Sequence, residues 1–249
     1  MAKKNGAGTL SVQAYERIRN KMLSGEFPLG YPLSRRSLAE ELGMSLIPVS
    51  EALQRLEAEG LVESKPRAGT RVRIPTAEDI RGHYVVREAL ESQSARMCRL
   101  LATREQKQQL RETAELVDKL SAATERTDPA HRMDAIFEFE RSHMRLHTLI
   151  AQCSNCPALV EAIERSRVLI NNWLLNLAAD LDPLPVRWHR DLIRDVCDGD
   201  MITADESMRR HVTYRQEIML MRFEKAESSG SLVTAFVRGP QKRAHRLSL

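Results

Sequence analysis

The stretch LSRRSLAEELGMSLIPVSEALQRLEAEGLVESKPRAGTRV, residues 33–72, decides the fold of the N-terminal part of the chain. Its first half predicts two short helices joined by the tight turn GMS, which is helix-turn-helix spacing. We expect the first to start at Ser34 and end at Gly43, and the second to start near Ser45, a good N-cap, and end at Gly60. The apolar residues at helical spacing that then face a core are Leu38, Ala39, Leu42, Val49, Ala52, Leu53 and Leu56.

A β-hairpin is predicted directly after these helices. Two β-prone runs, Leu61–Glu63 and Thr70–Ile74, flank KPRAG, a basic tip that contains a glycine. Ahead of the stretch, residues 11–25 predict another helix, and EFPLGYPL (26–33) is interpreted as a turn-rich link. Three helices and a hairpin indicate a winged helix-turn-helix DNA-binding domain over residues 11–75, after an N-terminal tail of residues 1–10.

The rest of the chain is predicted to be almost entirely helical, because no period-two alternation occurs after Thr76. The breaks between apolar runs predict helices over 76–102, 103–125, 130–152, 157–181, 184–198 and 201–224. We therefore expect a mainly α protein in which an all-α effector-binding, metal-binding and dimerisation domain covers residues 76–225. Residues 226–249, rich in serine, glycine and basic side chains, are interpreted as a flexible basic tail.

Charge is unevenly distributed along the 249 residues. Residues 1–75 hold 12 Lys/Arg and 8 Asp/Glu (net +4), residues 76–224 hold 21 and 25 (net −4), and residues 225–249 hold 5 and 1 (net +4). A basic N-terminal segment followed by an acidic segment predicts a polyanion partner for the N-terminal segment. No membrane-length apolar run and no signal-peptide pattern occur, so a cytoplasmic location is expected.

The second helix of the helix-turn-helix is the candidate recognition helix. Its first-turn residues would point at base edges in the major groove, with Leu46, Ser50 and Gln54 on the outward face. Arg35 and Arg36 begin the preceding helix, where they can reach phosphates or a guanine. The hairpin residues expected near DNA are Lys65, Arg67, Gly69 and Arg71. The alternative is an ordinary solvated basic face, but here charge, helix spacing and hairpin coincide.

At this point the chain resembles the N-terminal domain of GntR-family transcription regulators over residues 11–74. Arg36, Ser45 and Gly69 stand where the family pattern has them, and Pro48 and Gly60 do so too. Position, charge and resemblance together give the predicted DNA-contacting set: Arg35, Arg36, Ser45, Leu46, Ser50, Arg67, Gly69 and Arg71. Two departures concern DNA contact, because the family has arginines at the positions of Leu46 and Ser50. We therefore expect an operator unlike the usual family sites.

His143 and His147 are four residues apart on one predicted helix, the right spacing for two ligands of one metal ion. If DGD (198–200) turns two antiparallel helices, His189 and His211 lie level with each other. Four imidazoles in two level pairs suit a divalent transition metal, zinc or nickel above all, better than magnesium or calcium. The alternative is that each histidine is separately a core or surface residue.

Residues 76–222 resemble the FCD domain that follows the DNA-binding domain in FadR-type regulators of the same family. His147, His189 and His211 match the family's metal-binding histidines, whereas His143 stands where the family has an aspartate. The resemblance implies a small carboxylate effector at the metal pocket, with Arg87 and Tyr84 as candidate effector-binding residues. The alternative for Arg87 is a helix-surface ion pair with Glu91, four residues further on.

The sequence thus predicts a homodimeric, sequence-specific DNA-binding regulator, not an enzyme, that responds to a small carboxylate. A dimer is expected because two half-sites supply the affinity that one small winged helix lacks. Two alternatives stay open: a regulator whose effector is the metal itself, and a metal-dependent hydrolase. The hydrolase would need an open metal position and a nearby base, and neither is indicated by a sequence signature.

Overall fold

The computed structural model describes residues 9–66, 69–128, 131–166 and 184–229. The chain divides into two compact units, one ending at Ile74 and the other running from Pro75 to Lys225. Within the described ranges the protein is mainly helical and has one small sheet, as the sequence predicts. No helix in these ranges is both long enough and apolar enough to cross a membrane.

Three helices form the core of the first unit: α1 (Leu10–Leu23), α2 (Arg35–Leu42) and α3 (Leu46–Ala58). Both ends of α2 carry the local signals expected of them. The Ser34 hydroxyl accepts a hydrogen bond from the Ser37 backbone N–H at 3.3 Å, and Gly43 adopts φ +65° as the helix ends. The apolar stripe of these helices is buried, with Ile18, Val49 and Leu56 fully inside.

A three-stranded antiparallel sheet completes the first unit: β1 (Pro32–Leu33), β2 (Val62–Lys65) and β3 (Gly69–Val72), in the order β1-β3-β2. The prediction of a plain link over 26–33 was wrong at its end, because Pro32 and Leu33 pair with β3. A two-residue strand shows no periodicity, so its pairing is set by the buried Leu33 side chain and by the neighbouring strand.

The second unit is built from long helices: α4 (Ala77–Leu101), α5 (Arg104–Arg126), α6 (Arg132–Gln152), helical residues 157–166, α7 (Trp188–Asp198) and α8 (Met201–Ser228). Reciprocal capping boxes start α4 and α5, one between Thr76 and Asp79 and one between Thr103 and Gln106. These boxes explain why the two predicted starts lie within one residue of the observed ones.

Two predicted boundaries in the second unit are wrong. The helix predicted from 184 begins at Trp188, because Pro185 and the left-handed Arg187 (φ 66°) form a turn first. The helix predicted to end at 224 continues to Ser228, so residues 226–228 of the expected tail are helical. The remainder of that tail (230–249), residues 1–8 of the N-terminal tail and residues 167–181 of a predicted helix lie outside the described residues.

Substitution of Gly43 and Gly82 by alanine should change stability in opposite directions. A Cβ at either residue meets no atom within 4 Å, so neither change creates a clash. Gly43→Ala forces a side chain into the left-handed region and should lower the free energy of unfolding by about 1 kcal/mol. Gly82→Ala, inside α4, should raise it by about 0.5–1 kcal/mol through helix propensity. Urea unfolding followed by circular dichroism measures both, and a shift of equal sign would contradict the assigned backbone conformations.

Candidate metal centre and DNA-binding surface

Four buried histidines meet inside the second unit. Helix α6 presents His143 and His147 on one face, α7 carries His189 and α8 carries His211. Helices α7 and α8 are separated only by Gly199 and Asp200, and the ring centroids of His189 and His211 lie 5.3 Å apart. The structure therefore brings together all four histidines singled out from the sequence.

The Nε2 atoms of these histidines converge. That of His147 lies 3.0 Å from Nε2 of His143 and 3.2 Å from Nε2 of His211, and the last two are 3.2 Å apart. One ligand nitrogen from each of His143, His189 and His211 lies within 4.8 Å of the others. Nitrogens of His143, His147 and His211 thus surround one buried point, and a nitrogen of His189 lies within 4.8 Å of those of His143 and His211.

Carboxylates decide which ring nitrogen carries the proton. Glu91, on α4, hydrogen-bonds Nδ1 of His147, and Asp118, on α5, lies 2.8 Å from Nδ1 of His189. An ionised carboxylate only accepts hydrogen bonds, so Nδ1 must be the protonated nitrogen in both rings. In the neutral form of each ring the lone pair therefore sits on Nε2, which in His147 faces Nε2 of His143 and of His211.

The other two histidines differ in their Nδ1 environment. Nδ1 of His143 lies 3.5 Å from Oε2 of Glu140, whose other carboxylate oxygen accepts a hydrogen bond from Nη2 of Arg215 at 2.5 Å. Nδ1 of His211 is buried and has no partner among the described residues. Two of the four imidazoles are consequently hydrogen-bonded to a carboxylate through Nδ1, His143 has one nearby, and Nδ1 of His211 has none among the described residues.

Electrostatics favour the neutral form of these rings. Burial, reinforced by neighbouring His147, holds the pKa of His143 and that of His211 well below the ordinary histidine value. Burial also lowers the pKa of His189, although the hydrogen bond to Asp118 acts in the opposite direction. Neutral imidazole is the form that binds metals, so the lowered pKa values of His143, His189 and His211 favour the protonation state that a metal site requires.

The arrangement fits a divalent transition metal. Zinc–nitrogen bonds of about 2.0–2.1 Å place neighbouring ligand nitrogens roughly 2.9–3.4 Å apart, depending on coordination geometry. The 3.0–3.2 Å separations between Nε2 atoms fall in that range. In addition, Nε2 of His189 is buried and has no hydrogen-bond partner among the described residues. Unsatisfied buried lone pairs aimed at one point are what a bound cation would satisfy.

The two candidate effector-binding residues are also buried. Arg87 donates from Nε to Oε1 of Glu91 at 2.6 Å, so the ion pair considered from the sequence exists but lies inside the bundle instead of on the helix surface. Although burial alone would lower the pKa of Arg87, the adjacent Glu91 raises it overall. The Tyr84 hydroxyl donates to the backbone oxygen of Arg215 at 3.3 Å. Both residues thus belong to the polar interior that surrounds the histidines.

The carboxylates and the second buried arginine were missed by the sequence analysis. A weak signal existed for Glu140, which lies one turn before His143, and Glu91 was considered only as a partner of Arg87. Asp118 lies 71 residues before His189, so no local spacing connects the two. Arg215 follows His211 by one turn and would have required knowledge of the helix packing.

The recognition helix α3 exposes two apolar side chains at its start. Leu46 is 54% exposed and Ile47, which the sequence analysis left out, is 71% exposed. Ser45 occupies the N-cap position, but its side chain makes no capping hydrogen bond. Ser50 is half-buried. The first turn of α3, where the sequence predicts base contacts, therefore exposes an apolar surface.

The basic candidates of the first unit have mixed surroundings. Arg36 is exposed and pairs along α2 with Glu40 at 3.2 Å, and Arg35 is exposed beside it. Arg71, on β3, forms a cross-strand ion pair with Glu63 on β2. Gly69 has φ +80°, the left-handed conformation expected at the hairpin tip. Arg67 lies outside the described residues.

Comparison with known proteins identifies both units. Residues 10–72 match the family described as bacterial regulatory proteins, gntR family, and residues 83–214 match the FCD domain. An HTH-type transcriptional regulator from the TAR-I ttuE-ttuC' intergenic region of Agrobacterium vitis is 33% identical over 150 residues, which cover 60% of this chain and 83% of that protein. The transcriptional repressor RspR of Escherichia coli is 23% identical over 210 residues, which cover 84% of this chain and 88% of that protein.

Solved structures share the fold. Escherichia coli McbR/YncC superposes with a TM-score of 0.68 at 24% identity, covering 87% of this chain and all (100%) of that one. A GntR regulator from Rhodococcus sp. RHA1 superposes with a TM-score of 0.66 at 18% identity, covering 86% of this chain and 98% of that one. The matched families and relatives are transcription regulators and not enzymes, which removes the hydrolase alternative. The chain belongs to the GntR family of bacterial transcription regulators, in the FadR-type branch that carries an FCD domain.

Proposed function

We propose that this regulator binds operator DNA as a homodimer and that a small carboxylate, bound at a metal centre in its helical unit, controls its affinity for that DNA. The convergence of imidazole Nε2 atoms on one buried point carries the proposal. Because Glu91 and Asp118 direct two lone pairs at that point, the cluster is built to hold a cation.

The residues proposed to hold the metal are His143, His147, His189 and His211. Four nitrogen donors favour zinc or nickel over the oxygen-preferring magnesium and calcium. When bound, the ion would supply a Lewis-acidic position for an anionic ligand. His143, standing where relatives of this branch have an aspartate, leaves the charge of the ion unneutralised by its direct ligands.

The buried charges around the cluster support an anionic effector. Three arginines pair with the three carboxylates around the cluster: Arg87 with Glu91, Arg215 with Glu140, and the partly exposed Arg190 with Asp118. With neutral histidines these charges cancel, so a divalent ion leaves a net charge of about +2 in the interior. A buried uncompensated charge of that size is strongly unfavourable, and a carboxylate is the simplest compensating ligand.

Arg215 is the additional residue that we assign to the effector. Its Nη2 is bound to Glu140, whereas its Nε is buried and has no acceptor among the described residues. Arg87 is engaged by Glu91, and Tyr84 donates to the backbone of Arg215. We therefore propose that Arg215 contacts the effector, while Arg87 and Tyr84 set the position of the groups around it.

The second candidate function is direct metal sensing. Four histidines fill a tetrahedral coordination sphere, which would leave no open position for a carboxylate. In that case the metal itself is the effector. The two functions differ in whether a carboxylate changes DNA binding of the metal-loaded protein.

Removal of a histidine ligand should reduce metal retention. We expect zinc affinity to fall by more than tenfold in His189→Ala and His211→Ala, and Glu91→Gln to reduce it by roughly 10–100-fold by releasing the orientation of His147. His131→Ala is the matched control, because the His131 side chain is 73% exposed and pairs with Asp128 at 2.9 Å. Chelator competition with mass-spectrometric metal analysis gives the values. Stoichiometric metal surviving both His143→Ala and His211→Ala would refute the four-histidine site.

A gel-shift comparison separates the carboxylate from the metal as effector. Metal-free and zinc-loaded protein are titrated onto selected operator DNA with and without a panel of small carboxylates. We expect a carboxylate to shift the DNA affinity of the zinc-loaded protein only, and Arg215→Gln to remove that shift. A shift caused by zinc alone, unchanged by any carboxylate and by Arg215→Gln, supports direct metal sensing instead.

The substitution Leu46→Arg should change operator preference. Leucine cannot donate hydrogen bonds to guanine but can pack on a thymine methyl, as can the adjacent Ile47. We expect binding-site selection on the variant to favour G·C at one step per half-site, and the salt dependence of binding to steepen by about one counterion per protomer. Leu116→Arg, which adds the same charge at an exposed leucine of α5, is the control. An identical selected motif for Leu46→Arg and the parent protein would show that Leu46 does not read bases.

A further inference from the structure

A cavity of about 400 Å³ lies between the start of α7 and the middle of α8, with the turn before α7 at its edge. Its lining includes an apolar wall and several polar groups, among them Val186, Trp188, Leu192, Ser207, Arg210 and His211. Val186 is 86% exposed at this edge, whereas His211 is buried. The cavity therefore extends from the surface to one of the four clustered histidines.

Two buried donors in the lining lack acceptors. Nδ1 of His211 and Nε1 of Trp188 have no hydrogen-bond partner among the described residues, and the two rings stack with centroids 5.5 Å apart. When Nε2 of His211 holds the proposed metal ion beside the other imidazoles, its proton belongs on Nδ1. A buried N–H without a partner is unfavourable unless a ligand or an ordered water accepts from it.

The other three histidines indicate which kind of acceptor is missing at Nδ1 of His211. Glu91, Asp118 and Glu140 each place a carboxylate at or near the Nδ1 atom of one imidazole. His211 has no such carboxylate among the described residues, and it is the one histidine of the four that lines the cavity. The acceptor that completes the pattern must therefore come from outside the described part of the chain.

We propose that this cavity is a second ligand site, which binds a small carboxylate with an apolar body. The carboxylate accepts hydrogen bonds from Nδ1 of His211 and Nε1 of Trp188, and the apolar body packs on Leu192 and Val186. The ligand approaches His211 from the side opposite to the Nε2 cluster, so it is not a ligand of the metal ion.

The charged residues of the lining allow this assignment. Asp195 is held by Arg194 at 2.9 Å and by the Ser207 hydroxyl at 3.0 Å. Arg210 is more loosely placed, 3.6 Å from Asp195, and its side chain is 66% exposed. Because Asp195 keeps its other partners, Arg210 can turn toward an incoming carboxylate without leaving that aspartate unpaired.

Occupation of the cavity would be coupled to the metal centre through His211. A carboxylate on Nδ1 raises the basicity of Nε2, as second-shell carboxylates do for metal-bound histidines. By linkage, the metal must then strengthen carboxylate binding by the same factor. This coupling and the Nδ1–H donor of His211 rest on the proposed metal centre, whereas the cavity and the Trp188 donor do not.

Benzoate, with benzyl alcohol as the uncharged comparison, is the probe for this site. Calorimetric titration of the full chain, metal-free and zinc-loaded, should show benzoate binding that Trp188→Phe and Arg210→Gln each weaken by roughly threefold to tenfold. Arg209→Gln is the matched control on the same helix, because Arg209 pairs with Asp205 and Glu88 away from the cavity. In histidine-¹⁵N-labelled protein, the Nδ1–H resonance of His211 should move downfield on benzoate addition.

Three results would overturn the proposal. One is benzoate affinity that is unchanged in both Trp188→Phe and Arg210→Gln. Another is equal binding of benzyl alcohol, which would show an apolar cavity without a carboxylate site. The third is an unperturbed His211 Nδ1–H resonance at saturating benzoate, which would leave an ordered water as the acceptor. Binding to metal-free protein without any zinc effect would retain the site but disprove the coupling, independently of the gel-shift outcome.

Discussion

The hydrogen bonds that His147 donates to Glu91 and His189 donates to Asp118 are the constraint on which the helical unit depends. Each joins a carboxylate on one helix to an imidazole on another, and each fixes the tautomer of a buried ring. With the protons held on Nδ1, the Nε2 atoms are buried hydrogen-bond acceptors that solvent does not reach and that have few donors nearby. The packing of the unit and its chemistry therefore follow from the same two contacts.

Those contacts also explain why so many charges are tolerated in the interior. Arg87 is held beside Glu91, and Arg215 beside Glu140, so each buried carboxylate near the cluster has a cationic neighbour. Removal of one member would leave an uncompensated buried charge, which is far more unfavourable than the loss of an exposed ion pair. The buried charges consequently form a connected network. A ligand that adds charge at its centre changes the electrostatic energy of every ion pair in it.

The DNA-binding unit follows a simpler physical logic. A capped helix, a glycine in the left-handed conformation and a second helix place Leu46 and Ile47 at an exposed helix start. Apolar contacts there can distinguish thymine by its methyl group but add no phosphate attraction. Affinity must then depend on cations elsewhere in the unit and on two half-sites, which is consistent with the proposed homodimer.

The sequence by itself determined the elements with strong local signals. The helix-turn-helix could be predicted because Ser34, Gly43 and the apolar periodicity act within a few residues, and the pairing of His143 with His147 follows from helix geometry. The two-residue strand at Pro32, the late start of α7 at Trp188 and the partners of the histidines could not be predicted from local pattern. Asp118 meets His189 across 71 residues, and the acceptor-free Nδ1 of His211 beside a cavity is defined only by what surrounds it. Only the tertiary structure decided these features, because burial and hydrogen-bond partnership depend on which helices pack together.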